Sequence, residues 1–289
     1  MNKNTALVSG IIITIVLLGG CAEKMPGPPP LSVSEDSGKE KKVSGLDEEQ
    51  KILSFDMTGY TKDGKKKWDI KGKSADIVSD TIILNSIEAN VYSEERLVSL
   101  KAKSGRYDKK NSSIRLEDDV VVTTSDKVRL IAEWFEWESK TDEIKTDSFV
   151  EVTRDNFYAS GHGALASTKH KKVQLNKNVT VKQDKITITC GGPLYIDYGA
   201  NKASFYDMVK VIEPRGELMA DRLDIFFNPD SQKMEKAIAE KNVELKRGRN
   251  IARGRMIVYT LADGRALLTG NPEILIYSEK ELEDALVRN

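Results

Sequence analysis

A valine-type pair, preceded about six residues earlier by an apolar anchor, recurs roughly every thirty residues along this chain. Ile114-x-Leu116 leads through Glu117-Asp118-Asp119 to Val120-x-Val122, and Val173-x-Leu175 leads through Asn176-Lys177-Asn178 to Val179-x-Val181. The frame returns at Ile144 with Val150-x-Val152, at Ala203-x-Phe205 with Val209-x-Val211, and at Ala237-x-Ala239 with Val243-x-Leu245. It closes at Leu268 with Ile274-x-Ile276, and an early copy stands at Ile83 with Ala89-x-Val91. Alternation of period two puts the apolar side chains of a strand on one face. A longer repeat laid over it means that each unit buries that face against its neighbours, which is a quasi-one-dimensional β architecture. The expected repeat is two to three short strands, with the polar triplets as turns.

A second alternating segment precedes several copies and carries an aromatic residue or an aspartate: Arg106-Tyr107-Asp108, Trp134-Phe135-Glu136-Trp137, Leu194-Tyr195-Ile196-Asp197 and Leu223-Asp224-Ile225-Phe226. Turn residues follow at Asn111-Ser112, Gly199-Ala200-Asn201, Asn228-Pro229-Asp230 and Asp263-Gly264. No proline occurs between Leu31 and Gly192, which suits uninterrupted ladders. Residues 232–241, QKMEKAIAEK, favour helix locally. The frame demands strand from Ala237 to Leu245, and seven copies outweigh one local preference. A short helix is expected at 279–287.

The first residues have another character. Lys3 and an apolar run at 6–18 are followed by Leu18-Gly19-Gly20-Cys21, the pattern of a lipoprotein signal with Cys21 as the lipid-bearing residue. A run of that length is short for a bilayer span, which takes about twenty residues. Four of the eight prolines then fall between 26 and 30, so 21–48 reads as an extended tether.

Little material is present for reaction chemistry. Two cysteines and two histidines supply no zinc, haem or iron–sulfur motif, so neither a metal site nor a cofactor is expected. His162 and His170 read as solvated loop residues, and Cys190 as a small core residue without a disulfide partner. Lys+Arg and Asp+Glu both number 45, which removes the basic excess a nucleic-acid binder would need. Glu117-Asp118-Asp119 is no catalytic carboxylate pair, since adjacent strand residues face opposite ways. The lysine runs 65–67 and 169–172 sit at turns, where solvation is the plain reading and lipid phosphate the alternative.

The order signal, tether, Gly64-x3-Trp68-x-Ile70, Ser104-Gly105-x-Tyr107-Asp108 and Leu116-x3-Val120-x-Val122 resembles the LptC family of the lipopolysaccharide-export transporter. Gly216-Glu217-Leu218-x-Ala220-Asp221-x-Leu223, Asn242-Val243-x-Leu245, Ala252-x-Gly254 and Leu268-x-Gly270-Asn271-Pro272 are similar to LptA/OstA-type bridge proteins. The resemblance implies an all-β open jellyroll, or β-taco, of stacked antiparallel repeats. It divides the chain into a signal at 1–20, a lipidated tether at 21–48, an LptC-like jellyroll at 49–190 and an LptA/OstA-like extension at 191–289. The implied work is to accept lipopolysaccharide from the permease subunits of an inner-membrane ABC transporter and pass it, without catalysis, toward the outer membrane.

By frame parity the groove is expected to be lined by Ile83, Val91, Ile114, Leu116, Val120, Val122, Ile144, Val150, Val152, Val173, Leu175, Val179 and Val181. The same residues would also suit a closed sandwich core. Ile274 and Ile276 mark the C-terminal edge, where a helix would cover the strand or an LptA-type bridge protein would dock. The anchor on Cys21 is expected at the inner membrane, although Ala22 in place of an aspartate leaves the outer membrane open. Rival readings are a structural surface lipoprotein that scaffolds partners, and a polysaccharide-active enzyme on a β-repeat scaffold.

Overall fold

The computed structural model describes residues 50–277 apart from 62, 93–96, 139, 142, 168 and 263. Cys21, the signal, the tether and the helix expected at 279–287 lie outside the described residues. Seventeen strands and no helix occur among the described ones. Two compact units form, one from the described residues up to Ser148 with Ser167–Lys169, the other from Phe149–Ala166 and His170 onward.

In the first unit, β1 (Gln50–Tyr60), β2 (Lys66–Val78), β3 (Thr81–Tyr92), β4 (Leu97–Asp108), β5 (Ser113–Thr124) and β6 (Arg129–Glu138) pair antiparallel, each with the next. β7 (Glu143–Arg154) crosses the boundary between the units. In the second lie β8 (Phe157–Ser167) and β9 (Lys172–Gln183). β9 pairs with both β10 (Ile186–Cys190) and β11 (Leu194–Asp197), and these two pair on their other side with β12 (Lys202–Glu213). β13 (Gly216–Phe227), β14 (Met234–Arg247) and β15 (Asn250–Thr260) continue the ladder, and β15 carries β16 (Arg265–Thr269) and β17 (Glu273–Leu275) on its far side.

The repeat is therefore a hairpin of two long strands rather than two or three short ones. The polar triplets are corners inside strands, where the chain bends without ending. Asp118 and Asp119 have φ of 63° and 56°, and the β4–β5 ladder loses register there. Asn178, Asp207 with Met208, and Lys241 with Asn242 do the same two, three and four repeats on. Asparagine and aspartate tolerate this left-handed backbone better than other side chains, and an extra residue in one strand of a pair sharpens its bend. β10 and β11 together form one strand cut at its corner by Gly191-Gly192-Pro193, and β16 and β17 one cut by Gly270-Asn271-Pro272. The glycines there permit close approach: a Cβ on Gly192 would stand 3.0 Å from the Tyr206 carbonyl. Every proline of the described region lies at a corner (Pro193, Pro272) or beside a hairpin turn (Pro214, Pro229), where no ladder donor is lost.

The bends explain how a protein without a covering layer stays dry inside. A single flat sheet leaves both faces wet, yet Val120 is 0% exposed, Ile82 1% and Val179 1%. Cover comes from the other half of the same strands, folded over at the corners. Each core cluster accordingly joins residues from the two sides of a corner: Leu84 with Ile87 and Leu116 with Val120 in the first unit, Leu175 with Val179 and Phe205 with Val209 in the second. The fold is all-β and jellyroll-like.

From Met234 onward the helix-favouring QKMEKAIAEK segment is strand, the start of β14, as the frame required. His162 lies on β8, not in a loop, and packs against Phe149 with ring centroids 5.2 Å apart. His170 is in the turn before β9.

Candidate functional site

The candidate site is the inner face. Of the positions expected there, Leu116, Val120, Val150, Leu175, Val179 and Val181 are buried. Val91, Val122, Ile114, Ile144, Val152 and Val173 are half-buried, and Ile114, Val152 and Val173 pack on the two clusters. Ile83 corrects the expectation. It is 38% exposed on the outer face, while Ile82 and Leu84 point inward at 1% and 7%. The corner of β3 places only Asn85 and Ser86 between inward positions, where β5 places Glu117, Asp118 and Asp119, so counting six residues back lands on the wrong face.

Other inward residues lacked a site role in the sequence reading. Ile87, Phe205, Leu194 and Val243 are each 2% exposed or less. Phe205 and Val243 carry the frame, which was the signal that could have found them.

Within each unit the two walls of the inner face touch, so apolar side chain meets apolar side chain where a ligand would lie. The outer faces are polar and bonded across strands at the corners. Lys103 pairs with Asp119, Ser104 Oγ donates to Asp118 at 2.9 Å, and Asn242 Nδ2 donates to Asp221 at 2.9 Å. Glu117, the third carboxylate of that triplet, is held by Arg115, whose guanidinium lies 3.8 Å from the Trp134 ring centroid. These carboxylates are structural links.

The aspartates that closed several alternating segments have a local task. Asp108 accepts from the Asn111 amide at 2.9 Å and Asp197 from the Ala200 amide at 2.9 Å, closing the hairpin turn that follows each strand. Asp69 and Asp224 are different, because they are buried charges on the outer side of the sheet. Asp69 accepts from Lys66 at 2.7 Å, Asn90 at 2.9 Å and the Tyr92 hydroxyl at 2.7 Å. Burial would raise its pKa, but those bonds prevail and hold it at about 2. Asp224 is likewise raised by burial and lowered more by Lys202, Ser204 and Arg222. Cys190 sits in the second core, its thiol pushed up to about 11 by burial, which keeps it protonated and unreactive.

Two strand edges complete the arrangement. β1 pairs with β2 and shows Leu53 at 72% exposed and Tyr60 at 65%. In the second unit, Ile274 is 62% exposed and pairs with Ala252 through β17, Ile276 is 74% exposed just past that strand, and Leu267 is 63% exposed on β16.

The profile of the LptC-related lipopolysaccharide-assembly family matches residues 32–184. The profile of the LptA/(LptD N-terminal domain) lipopolysaccharide-transport proteins matches residues 193–281. No curated protein matches the chain.

Proposed function

Since this chain belongs to the LptC-related lipopolysaccharide-assembly family, whose profile covers more than half of it, we propose that both units hold the acyl chains of lipopolysaccharide between their folded half-sheets. It is a periplasmic lipopolysaccharide-transport protein of LptC type with an LptA-like continuation. The finer assignments that follow are ours. Lipid on Cys21 tethers the chain to the inner membrane and 21–48 spans the gap. The first unit takes its cargo from the permease subunits of an ABC transporter. The C-terminal edge, with Ile274 and Ile276, docks an LptA-type bridge protein. No side chain carries out catalysis.

One observation carries the reading. In each unit the apolar stripe passes the corners on the inner side, from Leu84 and Ile87 to Leu116 and Val120 in the first and from Leu175 and Val179 to Ala239 and Val243 in the second, while cross-strand polar links bind the outer side. Fully burying a methylene is worth about 0.8 kcal/mol, so half-burying a dozen retains one acyl chain by about 5 kcal/mol. That holds a lipid in water and still permits release.

A photo-crosslinking residue tests this. At Val122, half-buried on the inner face, it should trap lipopolysaccharide in living cells; at Arg115, on the outer face of the same strand, it should not. Equal labelling at the two positions would overturn the proposal.

A further inference from the structure

The two rims of the second unit, where hairpin turns line up along the ends of the folded half-sheets, differ in kind. One rim is formed by the turns at 198–201, 228–233 and 261–262. There Tyr198, Phe227 and Leu261 pack back onto the core, and the strand residues just inside, Ala203, Ile225 and Met234, are buried. That rim is plugged. The other is formed by the turns at 184–185, 214–215 and 248–249. Just inside it Val181 and Ile188 are buried beside the first of these turns, but Val211, Leu218 and Leu245, beside the other two, are only half-buried on the same apolar face.

This second rim carries arginines. Arg215 stands in the turn between β12 and β13, Arg247 ends β14, and Arg249 stands in the turn between β14 and β15. The β13–β14 ladder pairs Glu217 with Lys246, which brings Gly216 alongside Arg247; a Cβ on Gly216 would lie 3.0 Å from Arg247 Cγ. All three side chains are exposed, and no ion pair engages them among the described residues. Nearby carboxylates are mostly occupied: Glu217 by Lys210 at 2.9 Å, and Glu244 by Lys246 at 2.8 Å and Arg253 at 2.7 Å. Of the remaining carboxylates on this rim, Glu213 stands beside Arg215, and Asp184, in the neighbouring turn, accepts from Asn156 Nδ2.

We infer that Arg215, Arg247 and Arg249 form a headgroup subsite that binds the phosphates of the transported lipid and so orients it, acyl chains inward past Val211, Leu218 and Leu245. The inference rests on the lipid-carrying function and adds its polarity. A guanidinium presents a planar fork that meets phosphate with two bonds, which a lysine cannot reproduce. Three such forks beside a half-open apolar seam match an amphiphile with an anionic head, and the plugged rim opposite offers neither feature.

The test is equilibrium binding of bisphosphorylated lipid A, and of the same lipid stripped of both phosphates, to the full chain and to its R215Q/R247Q/R249Q variant. The wild type should prefer the phosphorylated lipid by about tenfold or more. The variant should lose that preference by binding the phosphorylated lipid more weakly while holding the stripped one as before, and a triple lysine variant should recover only part of it. Equal affinity of the wild type for both lipids, or an unchanged preference in the glutamine variant, would overturn the subsite and leave lipid carriage standing. Failure of the wild type to bind either lipid would overturn both. Competition by inorganic phosphate alone at millimolar concentration, with no dependence on acyl chains, would reduce the site to a simple anion site and reject the inference.

Discussion

Asp69 is a charge placed where charges are rarely found, 3% exposed on the outer surface of a sheet, and its neighbours decide what that costs. Three donors satisfy it, and Ser99 Oγ extends the chain of bonds by donating to Asn90 at 2.7 Å. Asp69→Ala would strand those donors and should destabilise the first unit by about 2–3 kcal/mol, read from urea unfolding. The carboxyl pKa is lowered from 3.8 to about 2 on folding. Its contribution is therefore complete above roughly pH 4 and disappears as pH falls toward 2, on the order of 2 kcal/mol in all. Asp69→Asn should flatten that part of the stability–pH profile, and a profile as steep as the wild type's would refute the assignment. Sequence could not have given Asp69 this role. Its partners sit on β2 itself and on β3, and only the pairing of Asp69 with Asn90 joins them.

At the scale of the strand, the corner is the unit of construction, and its chemistry was half visible. The polar triplets announced a break in the apolar run every repeat, but a turn and a bulged corner use the same residues. Only the ladder continuing beyond Asp119 or Asn242 separates them. Pattern also carried β14 correctly against its helix-favouring composition, because Ala237 with Ala239 and Val243 with Leu245 keep the two-residue alternation on either side of the corner. It failed at Ile83, where a corner one residue shorter reversed the faces, and it missed the arginine rim, since Arg215 and Arg247 lie on different hairpins. Met208 is the least suited residue at any corner, a non-glycine with φ of 48° and 73% exposed. Met208→Gly should relieve the left-handed backbone and stabilise the second unit by about 1 kcal/mol, seen as a rise in Tm; a fall would mean that the side chain itself holds the corner.

Each unit has a strand edge left unpaired among the described residues, that of β1 in the first and that of β16 with β17 in the second. Such edges invite another strand, and exposed Leu267 and Ile274 give this one an apolar surface as well. Charging both, as Leu267→Lys with Ile274→Lys, should weaken capture of an LptA-type bridge by about tenfold or more in a pull-down while leaving the first unit's unfolding unchanged. Unaltered capture would place the contact elsewhere. The touching walls described above also govern how cargo travels through either unit. Where those walls touch, an acyl chain that enters parts one hydrocarbon seam and re-forms another around itself, as the slider of a zip opens the teeth ahead and lets them close behind. Contacts broken in front are regained at the rear, so the energy along the path is nearly level. Motion on level ground has no preferred direction of its own, and the push must come from each new molecule loaded at the start of the line.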